Sequence, residues 1–166
     1  MKSIVLAICV LFGLAIGLAK PTLAISKVQE DAIVGHCDAI HEDLKNLQHA
    51  DSRIRVYLGR DYETILSKYI VPLNMRLVEN NLLTNQLIDN RTNYEKTRLN
   101  FTIDYVEYQK GLEDLVVADC KKDAKGFYDK LVKVRQKRDI VSKDVVKMRK
   151  LMTEHVGLVR DVEESL

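Results

Sequence analysis

The heptapeptide His36-Cys37-Asp38-Ala39-Ile40-His41-Glu42 holds the densest cluster of chemically capable side chains in this chain. On a helix, residues three and four apart share a face. Cys37 then stands beside His41, and Asp38 beside both His41 and Glu42. That is a partial metal-ligand set. A closed zinc site wants four ligands, and a carboxylate di-metal bundle wants Glu-x-x-His pairs from two helices, of which the chain has none. The cluster therefore reads as an exposed face at the start of a helix, with no metal and no cofactor expected. A small metal or redox protein around Cys37 and His41 is an alternative reading, which predicts stoichiometric metal or a titratable thiol pair.

Three cysteines are present, and Cys9 lies in an apolar N-terminal run, leaving Cys37 and Cys120. In an exported chain two cysteines suggest one disulfide. Helical geometry works against it. A chain that reverses near Gly59 sets Cys37 level with about residue 81, and one that reverses near Pro72 sets it level with about residue 106, leaving roughly 20 Å to Cys120 at 1.5 Å per residue. A disulfide tolerates less than about 7 Å between α-carbons. Three states stay open: a bridge within the chain, which needs an extra break near residues 89–93; a bridge between two molecules; or two free thiols.

The catalytic inventory is otherwise bare. There is no glycine-rich phosphate loop, Gly-x-Ser-x-Gly turn, Cys-x-x-Cys pair or haem-attachment motif. Carboxylates alternate with Lys and Arg as on solvated helix faces. Tyr94, Tyr105 and Tyr108 fall at helical spacing and read as core rather than as a platform for nucleobases, so no specific nucleic acid is expected. The expectation is a protein that is not an enzyme.

The N-terminus sets the compartment. Lys2 is followed by an apolar run from Ile4 to Ala19 and by small-residue stops ending at Ala24. This is the layout of an export signal. Residues 1–24 are expected to be a signal peptide, with retention as an N-terminal anchor as the second option, and residues 25–166 to be the mature helical domain. Cleavage removes Lys2 and Lys20 and leaves 24 basic against 24 acidic residues. Net charge thus names no partner, but its distribution is uneven. Residues 121–160 hold thirteen Lys or Arg against five acids, and residues 27–63 hold eight acids against five bases. The first expectation is an acidic helix packed beside a basic one. The second is a basic surface, including Lys130, Lys133, Arg135, Lys137 and Arg138, that binds an anionic envelope polymer or lipid.

What positions all of these groups is helix. The chain has no tryptophan, two prolines and, after residue 24, five glycines. Phe127, Leu131, Val134, Arg138, Val141, Val145, Met148, Met152, His155, Val159, Val162 and Leu166 step by threes and fours, a heptad seam. Arg138 and His155 interrupt it, as residues that fix register do; a pH-sensing role for His155 is secondary. A second seam runs through Ile33, Cys37, Ile40, Leu44, Leu47, Asp51, Ile54 and Leu58, with Asp51 as its polar break. Gly59 is the expected stop, Asp61 the cap of a short helix ending near Val71, and Pro72 a kink or a new start. A third, wetter segment runs from Leu73 to Leu115 with Asn80 and Thr84 on its seam. A loop follows from Asp119 to Gly126, and Asp123 caps the last helix. The expected fold is all-α: an elongated antiparallel helical bundle or coiled-coil hairpin of three to four helices.

Residues 51–82 (DSRIRVYLGRDYETILSKYIVPLNMRLVENNL) and 115–138 (LVVADCKKDAKGFYDKLVKVRQKR) resemble small exported helical proteins of uncharacterised role from bacteria with reduced genomes. The resemblance covers about half of the mature chain and implies export and helix, with no activity attached. The expected function is that of an exported, non-enzymatic structural or interaction protein of the cell envelope. It would act on itself or on a protein partner through coiled-coil faces centred on Leu131, Val134, Val141, Val145, Met148 and Met152.

Overall fold

A computed structural model describes residues 25–166; the signal-peptide and anchor readings lie outside the described residues. Ser26 opens the first helix with a reciprocal cap. Its hydroxyl accepts from the Gln29 backbone N–H (3.3 Å), while the Gln29 side chain accepts from the Ser26 N–H (3.0 Å). The first rod comprises α1 (Lys27–Gly35), a jog at His36, α2 (Cys37–Thr64), a π-helical stretch (Ile65–Ile70) and α3 (Val71–Glu79). Two further helices follow, α4 (Asn85–Val116) and α5 (Ala124–Glu164). The described chain is all-α, and α5 alone spans roughly 60 Å at 1.5 Å per residue.

Gly59 does not stop the first rod, and Pro72 does not restart it. A proline inside a helix lacks a donor and crowds the carbonyl four residues back. The wider π turn just before Pro72 absorbs this: the Val71 N–H reaches back to the Leu66 carbonyl, five residues away. At the other end of that turn, the Tyr62 carbonyl accepts from the buried Tyr94 hydroxyl (3.3 Å).

The chain reverses instead at residues 80–84, inside the segment whose apolar spacing predicts a continuous third helix. Asn81 takes φ 57°, the left-handed conformation that ends many helices and that Asn tolerates better than most residues. Its N–H donates to the Val78 carbonyl (3.0 Å), and Leu82 N–H to the Leu77 carbonyl (2.7 Å). Leu82 packs near Leu77 in the same stroke. Thr84 then caps α4 by accepting from Leu87 N–H (3.3 Å), so Asn80 and Thr84 are turn residues and not seam residues.

The second reversal falls where expected, and the Asp123 side chain accepts from Gly126 N–H (2.8 Å). The Asp123 carboxylate lies where a β-carbon on Gly126 would stand, so a larger residue there would require that side chain to shift.

The three rods run up, down and up. The central α4 packs along α5 and against α2, whereas α2 and α5 lie side by side with almost no close backbone approach. The core is strung along α4: Leu87, Tyr94, Phe101, Tyr105, Tyr108, Leu112 and Leu115 are all buried. Tyr62 meets Phe101 edge-on with ring centres 5.5 Å apart, and Tyr105 meets Tyr108 likewise at 5.9 Å.

The α5 seam departs from expectation at one position. Phe127, Val134 and Met148 are buried, and Leu131, Val141 and Val145 are half-buried. Leu151 (7 % exposed) then takes the place assigned to Met152, which is 38 % exposed. His155 and Val162, on the strict seven-residue series, stay buried, so the change is confined to this position. Leu151→Ala should accordingly cost about 2 kcal/mol or more and Met152→Ala under about 0.5 kcal/mol. Chemical denaturation of the two variants checks this, and equal losses would restore Met152 to the seam.

Candidate functional site

Cys37 opens α2 and His41 sits one turn on, on the same face. Cys120 arrives from the loop between α4 and α5. The Asp119 carboxylate accepts from the N–H groups of Lys121 and Lys122 (3.0 Å each) and tightens that loop into a turn. Lys121 then fastens it to α2 through Asp38 (2.8 Å), a hydrogen-bonded pairing that holds the Asp38 carboxyl below its ordinary range. The result joins Cys37 to Cys120 as a disulfide with 5.8 Å between α-carbons. Moving the reversal to residues 80–84 removes the geometric objection: a turn centred near residue 82 brings Cys37 level with the α4–α5 loop.

The cystine is sealed in the core, Cys120 at 0 % exposure. His41 packs its ring against Phe127, 6.0 Å between centres. Its Nε2 donates to the Ala118 carbonyl (2.9 Å) and lies 3.4 Å from Cys120 Sγ.

One third of the way along the bundle lies a second polar centre. Arg138 Nε and Nη2 donate to the two oxygens of Asp51 (3.0 and 3.2 Å), and the Tyr108 hydroxyl donates to the same carboxylate (2.7 Å). The Asp51 side chain is 11 % exposed and that of Arg138 is 53 % exposed. Burial, reinforced by the hydrogen bond to Asp51, pushes the Tyr108 hydroxyl above its ordinary pKa. Arg138 thus belongs to this centre rather than to an open basic surface. Of the other basic candidates, Lys130, Lys133 and Lys137 line a groove between α4 and α5 that also contains Asp114. Lys137 approaches Glu107 (3.7 Å), and Arg135 is exposed outside that groove. The five residues do not form one cationic face.

Beside the Asp51 centre, the open side between α2 and α5 forms a groove of about 290 Å³. Ile54, Leu58, Val141 and Val145 wall it, and Phe101 and Tyr105 form its floor. Arg55 lies over the Tyr105 ring, 5.2 Å from its centre. Further along the same two rods, Tyr69, Leu73, Val156 and Val159 line a second hollow.

Two more polar groups lie on α5: His155, which interrupts the expected seam, and Asp144, which the sequence pattern did not single out. His155 is buried in α5. Asn90 Nδ2 donates to the Leu151 carbonyl (3.0 Å), so Asn90 Oδ1 faces His155 and accepts from its Nδ1 (3.2 Å). Burial lowers the His155 pKa from 6.5, leaving the ring neutral with Nε2 unpartnered. Asp144, also on α5, has its Oδ2 buried without a hydrogen-bond partner; burial first, and then the neighbouring Asp104 carboxyl of α4, push it up to about 6.

The two groups act oppositely on stability. The unfolded chain protonates His155 below about pH 6.5 while the folded chain resists, so acid removes stability there. Folded Asp144 holds its proton longer than an ordinary carboxyl at 3.8, so its contribution is full below that pH and fades as pH rises through about 6. Asp144→Asn should therefore raise the melting temperature at pH 7.5 by a few degrees and change it little near pH 4. Thermal melts across that range measure it; an equal gain at both pH values would show that the carboxyl does not titrate as described.

No protein-family model matches this chain, and neither the curated proteins nor the solved structures contain a match.

Proposed function

We propose that this is an exported, non-enzymatic helical interaction protein of the cell envelope, which engages a helix through the open groove between α2 and α5. The groove carries the reading. Two long helices placed side by side normally bury their facing apolar side chains against each other, yet here Ile54, Leu58, Val141 and Val145 remain around an open hollow. Met152 stands two turns beyond Val145 on the same face of α5, exposed. An added amphipathic helix would turn the three-rod arrangement into a four-helix bundle and cover this surface. That helix belongs either to a second copy or to another envelope protein.

Sedimentation equilibrium of the full chain at low and high salt tests the self-association form, alongside Met152→Asp. The wild type is expected to associate at both salt concentrations and the variant to remain helical but monomeric. A wild type that stays monomeric throughout would leave only a heterologous helix as occupant. An association that dissolves in salt would instead favour the basic-surface reading, in which Lys130 and Lys133 attract an anionic polymer or lipid.

A further inference from the structure

Among the described residues, Cys37, His41 and Cys120 are the one group of His, Cys and acidic side chains whose ligand atoms converge, all within 4.8 Å of one another. As a cystine the two sulfurs are spent on each other. The elements that carry these donors are built by contacts other than the bridge: α2 sets Cys37 and His41 one turn apart, and Cys120 lies in a turn closed by Asp119, beside the exposed Asp38–Lys121 pair.

We propose that reduction of the Cys37–Cys120 disulfide converts this end of the bundle into a binding site for one zinc ion, with Cys37 Sγ, Cys120 Sγ and His41 Nε2 as ligands. The geometry carries the idea. In a tetrahedral zinc site with Zn–S near 2.3 Å and Zn–N near 2.0–2.1 Å, neighbouring sulfur and nitrogen ligands lie about 3.5 Å apart. His41 Nε2 and Cys120 Sγ are 3.4 Å apart already. Two thiolates and an imidazole suit zinc better than calcium or magnesium, which take oxygen donors. Three protein ligands leave a fourth position for water or an outside ligand, as reactive zinc sites do.

The chemistry balances with an external dithiol as reductant. The dithiol delivers two electrons and two protons, becoming a disulfide itself, and leaves Cys37 and Cys120 as thiols. Zinc then displaces both thiol protons, giving two thiolates. His41 must present a bare Nε2, so its proton shifts to Nδ1 and the bond to the Ala118 carbonyl is given up. The protein therefore has two mutually exclusive ways of tying α2 to the α4–α5 loop, one covalent and one through a metal, selected by the redox state around it.

Cobalt(II) is the probe, since it takes zinc sites and reports thiolate ligation by charge-transfer absorption. The full chain carrying Cys9→Ser, reduced with a phosphine under anaerobic conditions, should bind one equivalent with thiolate charge-transfer bands and the intense visible bands of tetrahedral cobalt. The oxidised protein should bind none, Cys37→Ser should lose the charge-transfer signature, and His41→Ala should bind at least tenfold more weakly. Far-UV circular dichroism before and after metal guards against a reduced chain that unfolds: helix retained, or helix restored by cobalt, supports the site. Absence of thiolate bands at one equivalent, a His41→Ala affinity equal to the parent, or a reduced chain that stays unfolded with metal overturns it.

Discussion

Replacing both Cys37 and Cys120 with alanine should lower the stability of the oxidised protein by about 4–5 kcal/mol, the value the chain-entropy model assigns to a cross-link closing a loop of this length. The two residues are 83 positions apart, so the unfolded chain loses much of its freedom when they are joined. For a domain of this size that corresponds to a fall in melting temperature of roughly 10–15 °C. Calorimetry of the oxidised wild type, the reduced wild type and the double variant is the measurement. The reduced wild type should fall nearly as far as the variant when metal is rigorously excluded. A loss below about 1 kcal/mol would mean that the packing of His41, Phe127 and Leu115 holds this end unaided.

Arg138→Met comes next in size. It retains an apolar stem while leaving the Asp51 carboxylate, almost wholly buried, with the Tyr108 hydroxyl as its one remaining donor. Removing one partner of a buried pair costs about 3–5 kcal/mol; the half-exposed Arg138 lets water reach the carboxylate once the guanidinium is gone, so about 3 kcal/mol is expected. The double variant Asp51→Leu, Arg138→Met should recover most of that loss, because an apolar pair of similar volume often replaces a buried ion pair at little cost. Urea denaturation of both singles and the double gives the coupling directly. Additive losses would show that Asp51 and Arg138 do not act as a unit.

This pair also shows how far the sequence could be read. Asp51 and Arg138 each stood out as a polar interruption in an otherwise apolar heptad pattern. Nothing in the periodicity of one helix, however, states which residue of another it will face. Register between helices is a tertiary property, and the two interruptions prove to be two ends of one contact. His155 was legible in the same way as a seam interruption, but its partner Asn90 was not, because asparagine at a buried position carries no local signal.

Helical content and the position of the second reversal followed from apolar spacing and the Asp123 cap. The first reversal did not, because Gly59 and Pro72 are stronger helix-breaking signals in composition than Asn80-Asn81, where the chain in fact turns. Asn81 does by side-chain tolerance what glycine does by having none, and Pro72 was admitted by a local widening of the helix rather than by a break. That single misplacement propagated: it put Cys120 out of reach of Cys37 and so dispersed three ligand atoms that the fold gathers within 4.8 Å. Met152 and Leu151 are adjacent apolar residues flanking one seam, and the periodicity of α5 alone does not say which of the two its neighbours cover.

The position of the cystine divides the molecule topologically. Residues 37–120 form a covalent ring that contains α2, α3 and α4, and α5 begins beyond it, at Ala124. The ring is a closed helical hairpin, whereas α5 is tethered by one short connection and otherwise held by noncovalent contacts alone. The disulfide therefore restrains the α2–α4 hairpin in the unfolded chain and leaves the hold on α5 to side-chain packing against α4.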